Sequence, residues 1–181
     1  MSTLISARAI SSIREVWWDI RPHPNFGTVE LRICDAVPTL GEVAALAALS
    51  QSLVEWMNGL CDRGRPRPSP QMWIVRENKW RAARYGLNAE IITDGNGSLT
   101  PIRDAIREIV EELSPVASEL GCLGELRHIL TIVDHGPSYL RQRSVVARMG
   151  SLTAVVDSLV EELSTDTPTS LVDRRSGGPA A

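Results

Sequence analysis

Apolar and polar residues alternate in two short runs near the N-terminus, and this period of two predicts a β-hairpin. In the second run an apolar face alternates with a polar face: Val29, Leu31 and Ile33 against Glu30, Arg32 and Cys34. In the first run, Trp18 and Ile20 alternate with Trp17, Asp19 and Arg21. A Pro/Asn/Gly turn joins the runs. We expect strands within residues 16–21 and 28–34, with their charged residues on one face.

The charged face of this hairpin has two interpretations. Cross-strand Glu–Arg and Asp–Arg pairs often do no more than stabilise a half-exposed hairpin, by about 0.2–1 kcal/mol each. Alternatively, two guanidinium groups on one sheet surface suit a polyanionic ligand. The alternation alone leaves both interpretations open.

Helical spacing of apolar residues begins after Pro38 and continues to about residue 60, with Thr39 as the predicted N-cap. This segment is apolar around much of its circumference, so we expect a central, well-buried helix. The prolines of residues 63–70 predict a loop.

A second helix is predicted from about residue 70 to residue 85, ending at Gly86. One side carries Glu77, Arg81 and Arg84, and a neighbouring stripe carries Trp73 and Trp80. The simplest interpretation is that the tryptophans pack on the core while the charged side chains form solvated pairs.

The remaining pattern predicts a strand at residues 89–93, a turn at residues 94–97 and a helix start with Thr100 as N-cap and Pro101 after it. Further helices are expected within residues 101–163. Arg141 and Arg143 are interpreted as surface charges. We expect a mostly helical α+β fold with a small antiparallel sheet packed with a helical layer. A single domain should span residues 1–163, followed by a disordered tail at residues 164–181.

The composition and net charge of the chain limit the kinds of partner that it is expected to bind. The chain has 181 residues, a net charge of −3 and a pI near 5.6, so nothing favours nucleic-acid or membrane binding. We find no leader-like N-terminus and no apolar run of about 20 residues, which leads us to expect a cytoplasmic protein. The three cysteines and three histidines lack metal-ligand spacing.

Two strings carry a resemblance to a known family. WWDIRPHPNFGTVELRICDAVPTL (residues 17–40) and RENKWRAARYGL (residues 76–87) resemble, in the same order, segments of the ATP-dependent carboxylate–amine ligases, the type 2 glutamate–cysteine ligase family. Gly-Pro-Ser-Tyr-Leu-Arg-Gln-Arg at residues 136–143 is similar to a later segment of that family. The resemblance covers about residues 14–163 and matches only the C-terminal part of the family pattern.

The resemblance implies a glutamine-synthetase-like catalytic fold and a defined chemistry. ATP activates a glutamate-like carboxylate as an acyl phosphate, which an amine attacks to form an amide, with Mg²⁺ bridging phosphate oxygens. The family's acidic, Mg²⁺-holding strand is not among residues 1–13. We therefore expect this chain to be inactive alone, with its site completed by a separately encoded N-terminal half or by a full-length partner chain. We also expect a homo-oligomer. The alternative is a non-catalytic remnant that serves as an oligomerisation or ligand-binding module.

The resemblance also implies roles for particular residues. On the hairpin, Glu30 is the candidate Mg²⁺ ligand and Arg32 the candidate for a catalytic contact with phosphate. Arg21 is a second catalytic candidate, and Asp19 is a candidate substrate contact. On the second helix, three side chains are candidates to bind the nucleotide or the substrate carboxylate: Arg76, Asn78 and Arg84.

Overall fold

The computed structural model describes residues 2–169, and they divide into two compact units with the boundary between Ala36 and Val37. Each unit is described by itself. The described residues are mostly helical and contain two antiparallel sheets of two strands each. The predicted α+β class is therefore confirmed.

The first unit contains a short helix, α1 (Ser2–Ser6), a 3₁₀ turn (Ile13–Glu15) and the predicted hairpin. Its strands are β1 (Ile20–His23) and β2 (Thr28–Leu31), with Arg21 directly opposite Glu30. One further bond lies beyond the strand ends, from the Arg32 N–H to the Asp19 carbonyl at 2.7 Å. Strand β2 lies inside its predicted range but is shorter, whereas β1 begins later than predicted and extends past residue 21 to His23.

The apolar face of the hairpin is exposed to solvent in this unit. Its side chains on the two strands and their continuation are Ile20, Val29, Leu31 and Ile33. Trp17 and Trp18, just before β1, are 80% and 52% exposed. Because the sheet has only two strands, one edge of each strand has no strand beside it.

The second unit is built around α2 (Leu40–Asp62), α4 (Ile102–Glu119) and α5 (Leu123–His135). Thr39 caps α2 as predicted: its hydroxyl accepts from the Glu42 N–H and donates to the Glu42 carboxylate. The core consists of small and branched side chains from these three helices: Ala45, Ala48, Val110, Leu113, Ala117, Leu126 and Ile129. Leu40, Val43, Val54 and Met57 are exposed, so α2 buries one face rather than most of its circumference.

Helix α3 (Met72–Tyr85) ends at Gly86, whose φ of +56° favours glycine, and a Cβ added there would also clash with the Tyr139 hydroxyl. The next segment departs from the prediction. Residues expected to begin a helix form β4 (Leu99–Pro101), which pairs with β3 (Glu90–Ile92), and α4 starts only at Ile102. The Asp94 carboxylate accepts from the Asn96 and Ser98 N–H groups, and this turn brings the chain back as a second hairpin.

The last two helices are α6 (Ser138–Met149) and α7 (Leu152–Thr165). On α6 the structure contradicts one prediction made from the sequence. Arg141 was predicted to be a surface charge but is 1% exposed. Its guanidinium donates to Glu42 Oε1 at 2.8 Å, to Glu162 Oε2 at 3.1 Å and to the Gly136 carbonyl at 2.9 Å. Arg141 lies one turn before the buried Val145 on the inner face of α6. A buried arginine at such a position needs carboxylate partners, here from α2 and α7.

Within residues 2–169, no helix is long and apolar enough to cross a membrane. Helix α7 continues to Thr165, and most of the predicted tail, residues 170–181, lies outside the described residues. The predicted single domain and disordered tail stay predictions.

Candidate functional site

The charged face of the first hairpin brings together three of the predicted site residues. Arg21 Nε donates to Glu30 Oε2 at 2.7 Å, and Arg32 Nη1 donates to Glu30 Oε1 at 2.9 Å. The Arg32 guanidinium also lies 5.1 Å from the centre of the Trp17 ring. The predicted common face of Glu30 and Arg32 is therefore observed, with Arg21 on the same face.

Two cations share one carboxylate on this face. Desolvation raises the pKa of Glu30, but hydrogen bonds and charge from Arg21, followed by those of Arg32, outweigh it and leave the pKa below its ordinary value. Glu30 is thus ionised near neutral pH. The three side chains together carry one net positive charge, and Asp19 adds a carboxylate two residues before Arg21. The two guanidinium groups offer the donors that an anionic ligand would need.

The other hairpin candidate, Asp19, is half-buried, and its backbone carbonyl accepts a hydrogen bond from the Arg32 N–H. Both carboxylate oxygens of Glu30 are engaged by arginines, so Glu30 could hold a cation only by exchanging at least one of these contacts. Among residues 2–169, no three or more His, Cys, Asp or Glu side chains are grouped so as to hold a metal ion.

Asn78 joins α3 to β3. Its side-chain amide donates to the Ile92 carbonyl at 2.8 Å and accepts from the Ile92 N–H at 2.8 Å. This bidentate contact mimics a strand pairing and satisfies the backbone of β3. The structure therefore gives Asn78 a positioning task, and its predicted contact with a nucleotide stays a prediction.

The two arginine candidates on α3 are both exposed and lie in different surroundings. Arg76 lines an open groove of about 690 Å³ together with Met72, Trp73, Glu77, Arg81 and Ile92. Arg84 is not among the residues that line this groove.

The tryptophans of α3 do not pack into the core as the simplest interpretation had it: Trp73 and Trp80 are half-exposed. The solvated Glu77–Arg81 pair predicted from the i,i+4 spacing is present at 2.9 Å.

Sequence reasoning missed three residues that shape the surface between α3 and β3: Arg81, Tyr85 and Glu90. Arg81 reaches beyond its helix and donates to the Glu90 carbonyl at 3.3 Å. Glu90 and Tyr85 line a cavity beside Trp80. Helical spacing could indicate Arg81 and Tyr85, whereas the placement of β3 against α3 depends on contacts between residues distant in sequence.

Comparison with known proteins relates the chain to one family. The family model described as glutamate–cysteine ligase family 2 (GCS2) matches residues 3–162. The chain is 60% identical over 169 residues to a Frankia casuarinae protein named "Putative glutamate–cysteine ligase 2-1", covering 93% of this chain and 44% of that protein. It is 52% identical over 168 residues to a Thermobifida fusca protein named "Putative glutamate–cysteine ligase 2", covering 93% of this chain and 42% of that protein. The chain thus spans less than half the length of these relatives.

Proposed function

Because the chain belongs to glutamate–cysteine ligase family 2, we propose that it supplies part of the catalytic site of an ATP-dependent carboxylate–amine ligase. The reaction would activate a glutamate-like carboxylate as an acyl phosphate and form an amide with an amine. The observation that carries this proposal is the Arg21–Glu30–Arg32 arrangement on one hairpin face.

The hairpin arginines suit the charge that develops in such a reaction. Phosphoryl transfer depends mainly on positioning and on cations around the transferred group. Arg32 is braced by Glu30 and Trp17, so its guanidinium is held before a ligand arrives. We assign Arg32 to the transferred phosphate, Arg21 to the same charge from the opposite strand, and Asp19 to a substrate contact.

The side chains of α3 would bind the nucleotide or the substrate carboxylate. Support is strongest for Arg76, which is exposed and lines the 690 Å³ groove. Arg84 would contribute a second exposed cation. Asn78 would act through β3, since its amide is already bonded to the Ile92 backbone.

Glu30 is the proposed Mg²⁺ ligand, and the fit is partial. Mg²⁺ is commonly bound by one or two carboxylates together with phosphate oxygens and water. Glu30 offers one carboxylate, and releasing one arginine to a phosphate would free one of its oxygens. When bound, the cation would neutralise phosphate charge. Further ligands would come from the segments of the longer relatives that this chain does not match.

A second candidate function is a non-catalytic oligomerisation or ligand-binding module. The exposed apolar face of the hairpin, with Trp17 and Trp18 beside it, favours this alternative. Both candidates predict that the chain associates with another polypeptide. They differ in whether the assembled complex turns over ATP.

Reconstitution tests the proposed function. The purified chain should bind Mg·ATP weakly and release no ADP with glutamate and cysteine. Co-expression with the part of the Thermobifida fusca relative that this chain does not match should restore ADP release and amide formation. Replacing Arg32 by alanine in that complex should lower kcat by about 10²–10³-fold, the cost of losing a group that stabilises transition-state charge.

The matched control is Arg14→Ala, an exposed arginine in the first unit that lies outside the hairpin. It should leave kcat unchanged. An assembled complex without ADP release would support the non-catalytic alternative, and robust turnover by the chain alone would contradict the proposed dependence on another segment.

A further inference from the structure

We propose that the cavity between α3 and β3, next to Trp80, binds the ammonium group of a small organic amine. The cavity measures about 370 Å³ and is lined by Glu77, Trp80, Arg81, Tyr85, Asn88, Ala89 and Glu90. This inference deepens the proposed function, on which it rests for an amine as the substrate class. Binding is measured on the chain alone and without ATP turnover, so its failure is distinguishable from a failure of the ligase proposal.

Two aromatic rings form one wall of this amine cavity. The Trp80 and Tyr85 rings meet edge to face, with centroids 5.8 Å apart and planes at 88°. The residues are 54% and 51% exposed, so they remain accessible to a ligand. Perpendicular aromatic rings attract a cation through their negative faces, and this is the usual wall of an ammonium-binding cage.

The charges in the cavity favour a cation over an anion. Glu77 and Glu90 contribute two negative charges and Arg81 one positive charge, which leaves a net charge of −1. Arg81 Nε donates to Glu77 Oε1 at 2.9 Å and its Nη1 donates to the Glu90 carbonyl at 3.3 Å, so two of its three nitrogens are already bonded within the protein. The Glu90 carboxylate and the Asn88 side chain remain to accept hydrogen bonds from an ammonium group.

The size of the cavity selects among amines. A volume near 370 Å³ lies at the lower end of small-ligand sites, so a compact amine fits and a large cofactor does not. The neighbouring groove shares Glu77 and Arg81 with this cavity but is otherwise lined by different residues, among them the cationic Arg76. It therefore offers a comparison site on the same helix.

Nuclear magnetic resonance of the full ¹⁵N-labelled chain tests the proposal. Butylammonium at pH 7 should give saturable shifts of the Trp80 indole N–H and of the Asn88 and Glu90 backbone N–H signals. Butanol, of similar shape but uncharged, and butyrate should bind at least 10-fold more weakly. Equal affinities for butylammonium and butanol would overturn the proposal.

Variants test whether butylammonium binding depends on the residues of the cavity rather than on other residues of α3. Trp80→Leu should weaken butylammonium binding at least 10-fold, read at the Glu90 N–H, and Glu90→Gln at least 5-fold, read at the Trp80 indole. The matched control is Trp73→Leu, a half-exposed tryptophan on the same helix outside this cavity, which should change affinity less than 2-fold. Glu90→Gln preserves shape, so an unchanged affinity in this variant overturns the proposal even if Trp80→Leu fails to fold.

Discussion

Arginine has two different tasks in this chain, and the environment of each residue decides which. Arg21 and Arg32 lie on a partly exposed face and share the Glu30 carboxylate, so their guanidinium groups suit contact with an anionic ligand. Arg141 is buried between two carboxylates, Glu42 and Glu162, and is fully engaged by the protein. The first arrangement suits binding, and the second stabilises the packing of three helices.

Removing the buried arginine should be costly. Arg141→Ala leaves two carboxylates without their cation in the interior, so we expect the free energy of unfolding to fall by about 3–5 kcal/mol. Urea denaturation followed by circular dichroism measures this change. Arg143→Ala is the control: Arg143 lies two residues further along α6, is exposed and lies over the Tyr139 ring, so about 1 kcal/mol or less is expected. Equal losses in both variants would contradict the structural role of Arg141.

The same cluster should make stability depend on acid pH. Desolvation raises the pKa of Glu162, but hydrogen bonds from Arg141 and the Thr169 N–H outweigh it, so the pKa is lower in the folded chain. A lowered pKa contributes stability that is present above the ordinary value of 4.5 and is lost as the pH falls through the folded-state pKa.

We therefore expect the free energy of unfolding to decrease below pH 4.5, and Glu162→Gln to remove part of this decrease. Denaturation midpoints measured from pH 7 down to the acid limit of folding test this. Glu161→Gln, an exposed neighbour, serves as the control and should keep the wild-type slope. If Glu162→Gln lost stability with falling pH as steeply as the wild-type chain does, the role given to Glu162 would be contradicted.

Among the elements, those with a strong local pattern were predictable. The first hairpin, the capped start of α2 at Thr39 and the end of α3 at Gly86 all follow from alternation, a hydroxyl cap and a glycine with positive φ. Strand β4 was missed because Thr100-Pro101 also has the chemistry of a helix start, and only its pairing with β3 decides between the two.

Of the site, the common face of Arg21, Glu30 and Arg32 could be predicted from alternation alone. The burial of Arg141 could not, because its carboxylate partners lie 99 and 21 residues away in sequence. The task of Asn78 was missed for the same reason: its partner is the backbone of another element.

The contact between α3 and β3 should depend on Asn78. Asn78→Ala leaves the Ile92 N–H and C=O without their side-chain partner, so we expect a loss of about 1–3 kcal/mol and faster hydrogen exchange at the Ile92 amide. Asn58→Ala, at an exposed position of α2, should change neither quantity measurably. Unchanged exchange at Ile92 in Asn78→Ala would contradict the proposed positioning role.

At the scale of the whole molecule, the apolar face of the first hairpin is a surface suited to association. Exposed aliphatic side chains, two exposed tryptophans and unaccompanied strand edges occur together there. Such a surface recruits another chain by strand addition or by burial of its apolar side chains. We propose that the chain forms a homo-oligomer through this face when no complementary segment is supplied.

Sedimentation across a concentration range tests this proposal. The wild-type chain should associate at high micromolar concentration, and Val29→Thr with Ile33→Thr should shift it towards the monomer. The comparison variant is Leu152→Thr with Val160→Thr, which alters exposed aliphatic side chains of α7 instead. A wild-type monomer, or dissociation caused only by the α7 variant, would contradict the proposed hairpin interface.

The cluster of Glu42, Arg141 and Glu162 has a consequence for how the chain is made. Glu42 leaves the ribosome 99 residues before its arginine, which corresponds to about 5–20 s at roughly 5–20 residues per second. Throughout that interval the carboxylate on α2 has no cation with which to enter the interior. We therefore expect helix α2 to stay hydrated around Glu42 until α6 has been synthesised, so that its packing against α6 and α7 follows the synthesis of Arg141.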